Sequence, residues 1–200
     1  MPSKVVLISR FKFSPRFKGE IFADLISSDR VRYYLDYDEM ELLQLRAYDD
    51  LADFSGDEYE LEADVERFRE YMSADVVREL LMHVESPKPC DSKLPDTDYI
   101  QLRHVEVLPE KYSEYRQWRA GTIFQVVKES VAVEVFLAYH SMVSGQPGVM
   151  FIAGFSGDPA EYQEVFETDR YREIVRQAGS NYITGGMDGL YTRNYSRLTF

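Results

Sequence analysis

Leu51-Ala52-Asp53-Phe54-Ser55-Gly56-Asp57 and Ile152-Ala153-Gly154-Phe155-Ser156-Gly157-Asp158 stand roughly a hundred residues apart and agree at five of seven positions. Downstream of the first is Glu66-Arg67-Phe68-Arg69-Glu70, and downstream of the second Asp169-Arg170-Tyr171-Arg172-Glu173. Two matches in the same order, at nearly the same spacing, predict one structural unit written twice. Ser-Gly-Asp suits a turn into a helix in both places, since Gly bends the chain and Asp can cap the helix after it.

Outward from these stretches the hydrophobic periodicity predicts the same element order twice. In the first unit, residues 5–13 read as a strand. Ser14-Pro15 opens a helix with Phe17, Ile21 and Leu25 on one stripe. Residues 31–37 read as a second strand and 41–54 as a third, bent near Asp49-Asp50. Val65, Phe68 and Met72 mark a helix, residues 74–83 continue it or form a short one, and any closing strand is confined to 84–86. Residues 91–97 are polar, contain Pro, and read as a linker between a unit at 1–90 and a unit at 98–200. The second unit is a strand at 99–108, a helix from Pro109 to about Glu129, and a strand at 131–142. A turn at 144–148, a strand at 149–155 and a helix over 158–178, broken near Thr168-Asp169, come next. A turn at Gly185-Gly186 leads to a closing strand at 190–198.

This β-α-β-β-α-β order is the ferredoxin-like plait, an antiparallel sheet with helices on one face. The bare face must be buried. The expected class is therefore α+β: two tandem plaits packed sheet to sheet as an intrachain pseudo-dimeric barrel, with helices outside. On this order and the duplication the chain resembles the dimeric α+β barrel superfamily, which includes antibiotic-biosynthesis monooxygenases, haem-degrading monooxygenases and small cyclases and isomerases. The resemblance implies a pocket between helices and sheet within a unit, often working without metal or flavin.

Composition narrows the function. The chain has 200 residues, 44% hydrophobic, with fifteen Tyr and twelve Phe, enough to bury a full core. A net charge of −12 argues against nucleic acid, whose phosphates need clustered Lys and Arg. No apolar run approaches the roughly 18 residues of a membrane helix. Cys90 is the only cysteine, so no internal disulfide forms; it reads as a passive loop thiol. Met1-Pro2-Ser3-Lys4 runs into the first strand without a signal-peptide layout, which points to the cytoplasm. A small-molecule substrate is the expected partner, with homo-oligomerisation left open.

Candidate chemistry comes from matching the two helix starts, Pro15 with Pro109. Leu25 then matches Arg119, which shares a helix side with Tyr112, Tyr115, Thr122, Ile123 and Val126. A guanidinium on an apolar stripe must pair with a carboxylate, reach water or meet an anionic ligand. His104 alternates with Ile100 and Leu102, and His140 with Phe136, Ala138 and Met142. Either could move a proton near neutral pH, or be tied into a core by one hydrogen bond. The catalytic candidates are His104, His140 and Arg119; Tyr112, Tyr115 and Trp118 are the candidate ligand wall. His83 reads as a charge at a helix end. No histidine spacing predicts a metal site, and no Gly-rich phosphate loop is present. The expected activity is cofactor-independent oxygenation, or cyclisation or isomerisation, of an aromatic or polyketide-like substrate. The alternatives are a non-catalytic binding or assembly protein, and haem handling with one of the same histidines as axial ligand.

Overall fold

The computed structural model describes residues 1–15, 19–144 and 148–198. Its strands are β1 (Val5–Lys12), β2 (Val31–Asp36), β3 (Glu41–Tyr48), β4 (Val77–Lys88), β5 (Tyr99–Val105), β6 (Val135–Val143), β7 (Val149–Phe155) and β8 (Leu190–Arg197). They close into one barrel in the order β1-β3-β2-β8-β5-β7-β6-β4, every neighbour antiparallel. Within it lie two ferredoxin-like quartets, β4-β1-β3-β2 and β8-β5-β7-β6. Their outer strands join at β2·β8 and β4·β6, so neither sheet keeps a free edge.

The duplication is most exact in the pairing register. In the first half Val5 pairs with Tyr48 and Met82; in the second Tyr99 pairs with Phe155 and Ser196. The first, third and fourth strands therefore repeat at displacements of 94, 107 and 114 residues. The displacement grows because the second half inserts longer helices between the same strands.

Both faces of most strands are covered, so alternation is apolar on either side. Val6, Ile8, Leu43, Leu45, Ile100, Leu102, Leu137 and Ile152 fill the barrel. Outside, α1 (Leu51–Ser55) and α2 (Glu58–Phe68) cover the first sheet. The second is covered by α3 (Tyr112–Gly121), α4 (Ile123–Glu129), α5 (Pro159–Val165) and α6 (Asp169–Asn181). At one mouth the filling turns polar. Glu79 of β4 accepts from Arg10 Nη2 of β1 (2.9 Å) and from His104 Nε2 of β5 (2.7 Å), all three nearly inaccessible. Burial pushes the Glu79 carboxyl up, but the His104 hydrogen bond and charge, then the Arg10 charge, hold it below its ordinary range.

Four expectations are corrected. The helix expected after Ser14-Pro15 is only a short 3-10 stretch, Gly19–Asp24; Phe17 lies outside the described residues, as do residues 145–147 of the expected turn at 144–148. The third strand stops at Tyr48, and Asp50 caps α1 by accepting from the Asp53 amide. Residues 77–88 form strand β4, although 74–83 read as helix and closure was placed at 84–86. Both edges of β4 are paired, to β1 and β6, and that ladder outweighs a short helical periodicity. The helix expected from Pro109 breaks at Thr122 (φ −125°, ψ −84°), whose hydroxyl donates to the Trp118 carbonyl.

The repeated heptads are not structurally equivalent. Leu51–Ser55 is helix, whereas Ile152 to Phe155 ends β7. Only the Ser-Gly-Asp turns correspond: Asp57 and Asp158 each precede a helix, and Asp158 caps α5 through the Ala160 amide.

Replacing Glu79 with Ala should cost about 3–5 kcal/mol in urea unfolding, because Arg10 is left buried without a counter-charge. A carboxylate held below its usual range stabilises the fold above the unfolded pKa and loses that contribution as pH falls through the folded one. The stability gap between the native protein and Glu79→Gln should therefore narrow below about pH 4; a gap independent of pH would show that Glu79 is not ionised in the fold.

Candidate functional site

The second sheet carries a polar network where its helices cover it. Alternation along β5 turns Ile100, Leu102 and His104 into the barrel and Gln101, Arg103 and Val105 toward the helices. Register sets Gln101 beside Asn194 and Arg103 beside Thr192 of β8. Asp158 caps α5 and Thr168 caps α6, and the break between them leaves Phe166 at a corner over Arg103. The Arg103 guanidinium carbon lies 3.8 Å from the Phe166 ring centroid.

The bonds are specific. Arg103 Nε donates to Gln101 Oε1, and Nη1 donates to the Tyr171 hydroxyl at 2.7 Å. Gln101 Oε1 also accepts from the Tyr162 hydroxyl at 3.0 Å, while Gln101 Nε2 donates to Asn194 Oδ1 at 2.7 Å. Burial pushes the Tyr162 phenol up to about 12, with Arg103 pulling the other way. Among the described residues no carboxylate pairs with Arg103.

Two cavities flank this network. An inner one of about 270 Å³ lies between the second sheet and its helices, walled by Val105, Tyr115, Phe151, Ile174, Ala178 and other apolar groups. An outer cleft of about 580 Å³ runs along the β2·β8 junction and carries Asp36, Asp38 and Glu167. Arg103 and Phe166 belong to both walls.

The residues nominated from sequence are only partly brought together. Tyr115 is buried on the inner cavity wall. His104 stands in that wall, but its imidazole is bonded to Glu79 within the barrel. His140 lies two strands away on the opposite sheet face; its Nδ1 is 3.1 Å from the Ser141 carbonyl and its ring packs on Tyr112 at 5.1 Å. The two histidines do not converge. Trp118 is outside the cavity lining, its ring tilted against those of Tyr115 and Tyr182 at 5.9 and 5.1 Å. Arg119 is fully buried, boxed by the rings of Tyr115, Phe124 and Phe151, and donates from Nη2 to Glu85 of β4 at 2.8 Å. Arg116 shares that carboxylate from the surface. His83, read as a helix-end charge, sits on β4 with Nε2 2.6 Å from the Ser86 hydroxyl.

Matching Leu25 with Arg119 does not survive. Leu25 follows a 3-10 turn and packs with Phe22 and Phe13, whereas Arg119 sits on an α-helix with no counterpart at that place among the described residues of the first half. The strand displacements give the sound comparison. Leu7 and Leu80, paired in the first half, become the hydrogen-bonded pair Gln101 and Asn194; Ser9 becomes Arg103. The displacement of 94 was already legible, so comparing all of the first strand would have found Gln101 and Arg103. Asn194 needed the fourth-strand register.

Among the described residues no group of three or more His, Cys, Asp or Glu could hold a metal. The inner cavity offers haem no axial imidazole among the described residues, since His104 turns into the barrel toward Glu79 and His140 and His83 are engaged elsewhere.

Comparison with solved structures gives the class. An anthrone oxidase-like protein superposes over 98% of this chain and 91% of its own, with a TM-score of 0.67 at 9% identity. A ferredoxin-fold protein related to antibiotic biosynthesis monooxygenases, from Listeria monocytogenes, covers 99% and 97% with a TM-score of 0.56 at 8% identity. A heme-degrading enzyme from the same organism covers 98% and 100%, again at 0.56 and 8%. The chain has the fold of the dimeric α+β barrel proteins, here as an intrachain pseudo-dimer. No family model and no curated protein matches the sequence.

The Arg119–Glu85 pair joins the two halves and has a clear signature. Glu85→Ala should destabilise by about 3–5 kcal/mol, whereas Arg119→Met should be near neutral or stabilising, because an apolar side chain suits that aromatic box. Chemical denaturation of both variants checks this. A strongly destabilising Arg119→Met would show that the guanidinium contributes more to the fold, through its aromatic box, than its burial costs.

Proposed function

We propose that the chain is a small-molecule enzyme of the α+β barrel type. It holds an aromatic or polyketide-like substrate in the inner cavity of the second half and acts by cofactor-independent oxygenation, or by cyclisation or isomerisation. The observation that supports this is the cavity itself: about 270 Å³, apolar-walled, with the hydrogen-bonded Arg103 and Tyr171 in its lining. Each of these reactions passes through an enolate- or phenolate-like anion. Arg103 and the Tyr171 hydroxyl are donors suited to stabilise such an oxyanion in a low-dielectric site. Tyr115 forms part of the substrate wall, with Trp118 and Tyr112 packed behind it. Proton transfer falls to Tyr171 rather than to His104 or His140, whose rings are turned away. The names of the similar structures, oxidase-like and monooxygenase-related, make oxygen chemistry the first reaction to assay.

The second reading is a binding protein without catalysis. It is favoured by the ion pair that occupies Arg119 and by the absence of an imidazole aimed into the cavity among the described residues. Native mass spectrometry of the gently purified protein should show a bound small molecule, and Ala178→Phe should remove it by filling the cavity. The same adduct on a correctly folded Ala178→Phe protein would place binding elsewhere. Oxygen uptake with the identified molecule separates the readings: turnover supports the enzyme, tight binding without uptake or product supports the binding protein.

A further inference from the structure

We infer that the inner-cavity ligand carries an anionic oxygen group, a carboxylate or phenolate on a one- or two-ring aromatic skeleton, and that Arg103 with Tyr171 receives it. This rests on the ligand-binding reading above and adds the chemical class of the ligand.

Charge pairing carries the inference. The buried guanidiniums are neutralised: Arg10 by Glu79, Arg46 by Asp57 and Asp64, Arg32 by Asp96 and Arg119 by Glu85. Arg103, which is half-buried, is held among the described residues by neutral acceptors, a carboxamide oxygen and a phenol, and by the faces of Phe166 and Tyr171. Half-buried Arg78 likewise donates to a neutral acceptor, the Leu61 carbonyl, but the pocket beside it carries Glu62 and Glu66. The fold thus orients the Arg103 cation without cancelling it. In the first half the same strand position is Ser9, and the flanking Gln101–Asn194 pair is Leu7–Leu80. That polar set is specific to the half with the cavity.

The two sides of Arg103 differ in charge. The outer cleft adds Asp36, Asp38 and Glu167, which disfavour an anion. Among the described residues the inner wall has no carboxylate. The chain's net charge of −12 repels anions at long range, but salt screens that field beyond about 8–10 Å. Inside an apolar cavity the adjacent guanidinium therefore dominates. Because the Tyr171 hydroxyl accepts from Arg103, its own proton is left to donate to a bound oxygen. Apolar groups such as Phe151, Ile174 and Ile183 suit a flat ring system behind that anion.

The test uses the purified full chain with 2-naphthoate and its neutral isostere 2-naphthamide, measured by isothermal titration calorimetry. A charge-assisted contact should make naphthoate bind at least about tenfold tighter. Arg103→Gln should abolish that preference by weakening naphthoate far more than naphthamide, and Arg103→Lys should retain part of it. Circular dichroism verifies that each variant folds. Equal binding of the two probes to the native protein, or a preference that survives in Arg103→Gln, overturns the inference. If equal binding is lost in Ala178→Phe, the cavity still stands as the ligand site. Binding of neither probe to the native protein counts against both readings.

Discussion

Edge closure is the constraint on which this structure depends. Two four-stranded sheets each present outer strands with unpaired backbone groups, and each has one face without helices. Joining β2 to β8 and β4 to β6 satisfies the backbone and buries both bare faces in one step. The junctions are unequal. Among the described residues the β2·β8 ladder contains the pairs Tyr34–Arg197 and Leu35–Ser196, while β4·β6 runs from Leu80 to Lys88 through several register shifts. The outer cleft lies along the short junction. The long junction carries polar contacts that tie the halves together: Glu85 of β4 pairs with Arg119 on α3 of the second half, and Glu79 hydrogen-bonds His104.

Duplication lets the halves diverge while the ladder is kept. The register of β1, β3 and β4 is repeated residue for residue in β5, β7 and β8, because shifting a strand by one position would turn every side chain to the wrong face. The covering layer has no such restriction. In the first half Phe11, Phe13, Phe22 and Phe68 interlock edge to face at 4.9–5.6 Å and fill the space above the sheet. In the second, true helices stand over the sheet and leave a cavity beneath. Polar groups divide in the same way. Arg46 of the first half is closed off by two aspartates, and Arg103 of the second is left with neutral partners.

Much of the barrel was legible from the residues alone. Element order, the break near Thr168, the Gly185-Gly186 turn and the last strand follow from periodicity and punctuation, which are local properties. The heptad that suggested duplication led to the right architecture through an inexact correspondence, since one copy is helix and the other strand. Strand β4 was missed because Val77-Arg78-Glu79-Leu80-Leu81 suits either period, and only partners on both of its edges decide between them. The site was less legible. Arg119 was correctly seen as a guanidinium on an apolar stripe, but its partner Glu85 lies in the other half, beyond any local pattern.

By itself the sequence determined that two plait-like units follow one another, that the chain is acidic and aromatic-rich, and that it carries no histidine spacing for a metal. Those are matters of order, composition and short-range spacing. Only the tertiary structure decided which face of β5 meets the helices, that His104 and His140 lie on opposite sides of the sheet, and that Arg103 meets the cavity without a counter-charge. Those depend on which strands become neighbours, and neighbours in a closed barrel are set by backbone pairing between residues far apart in the chain.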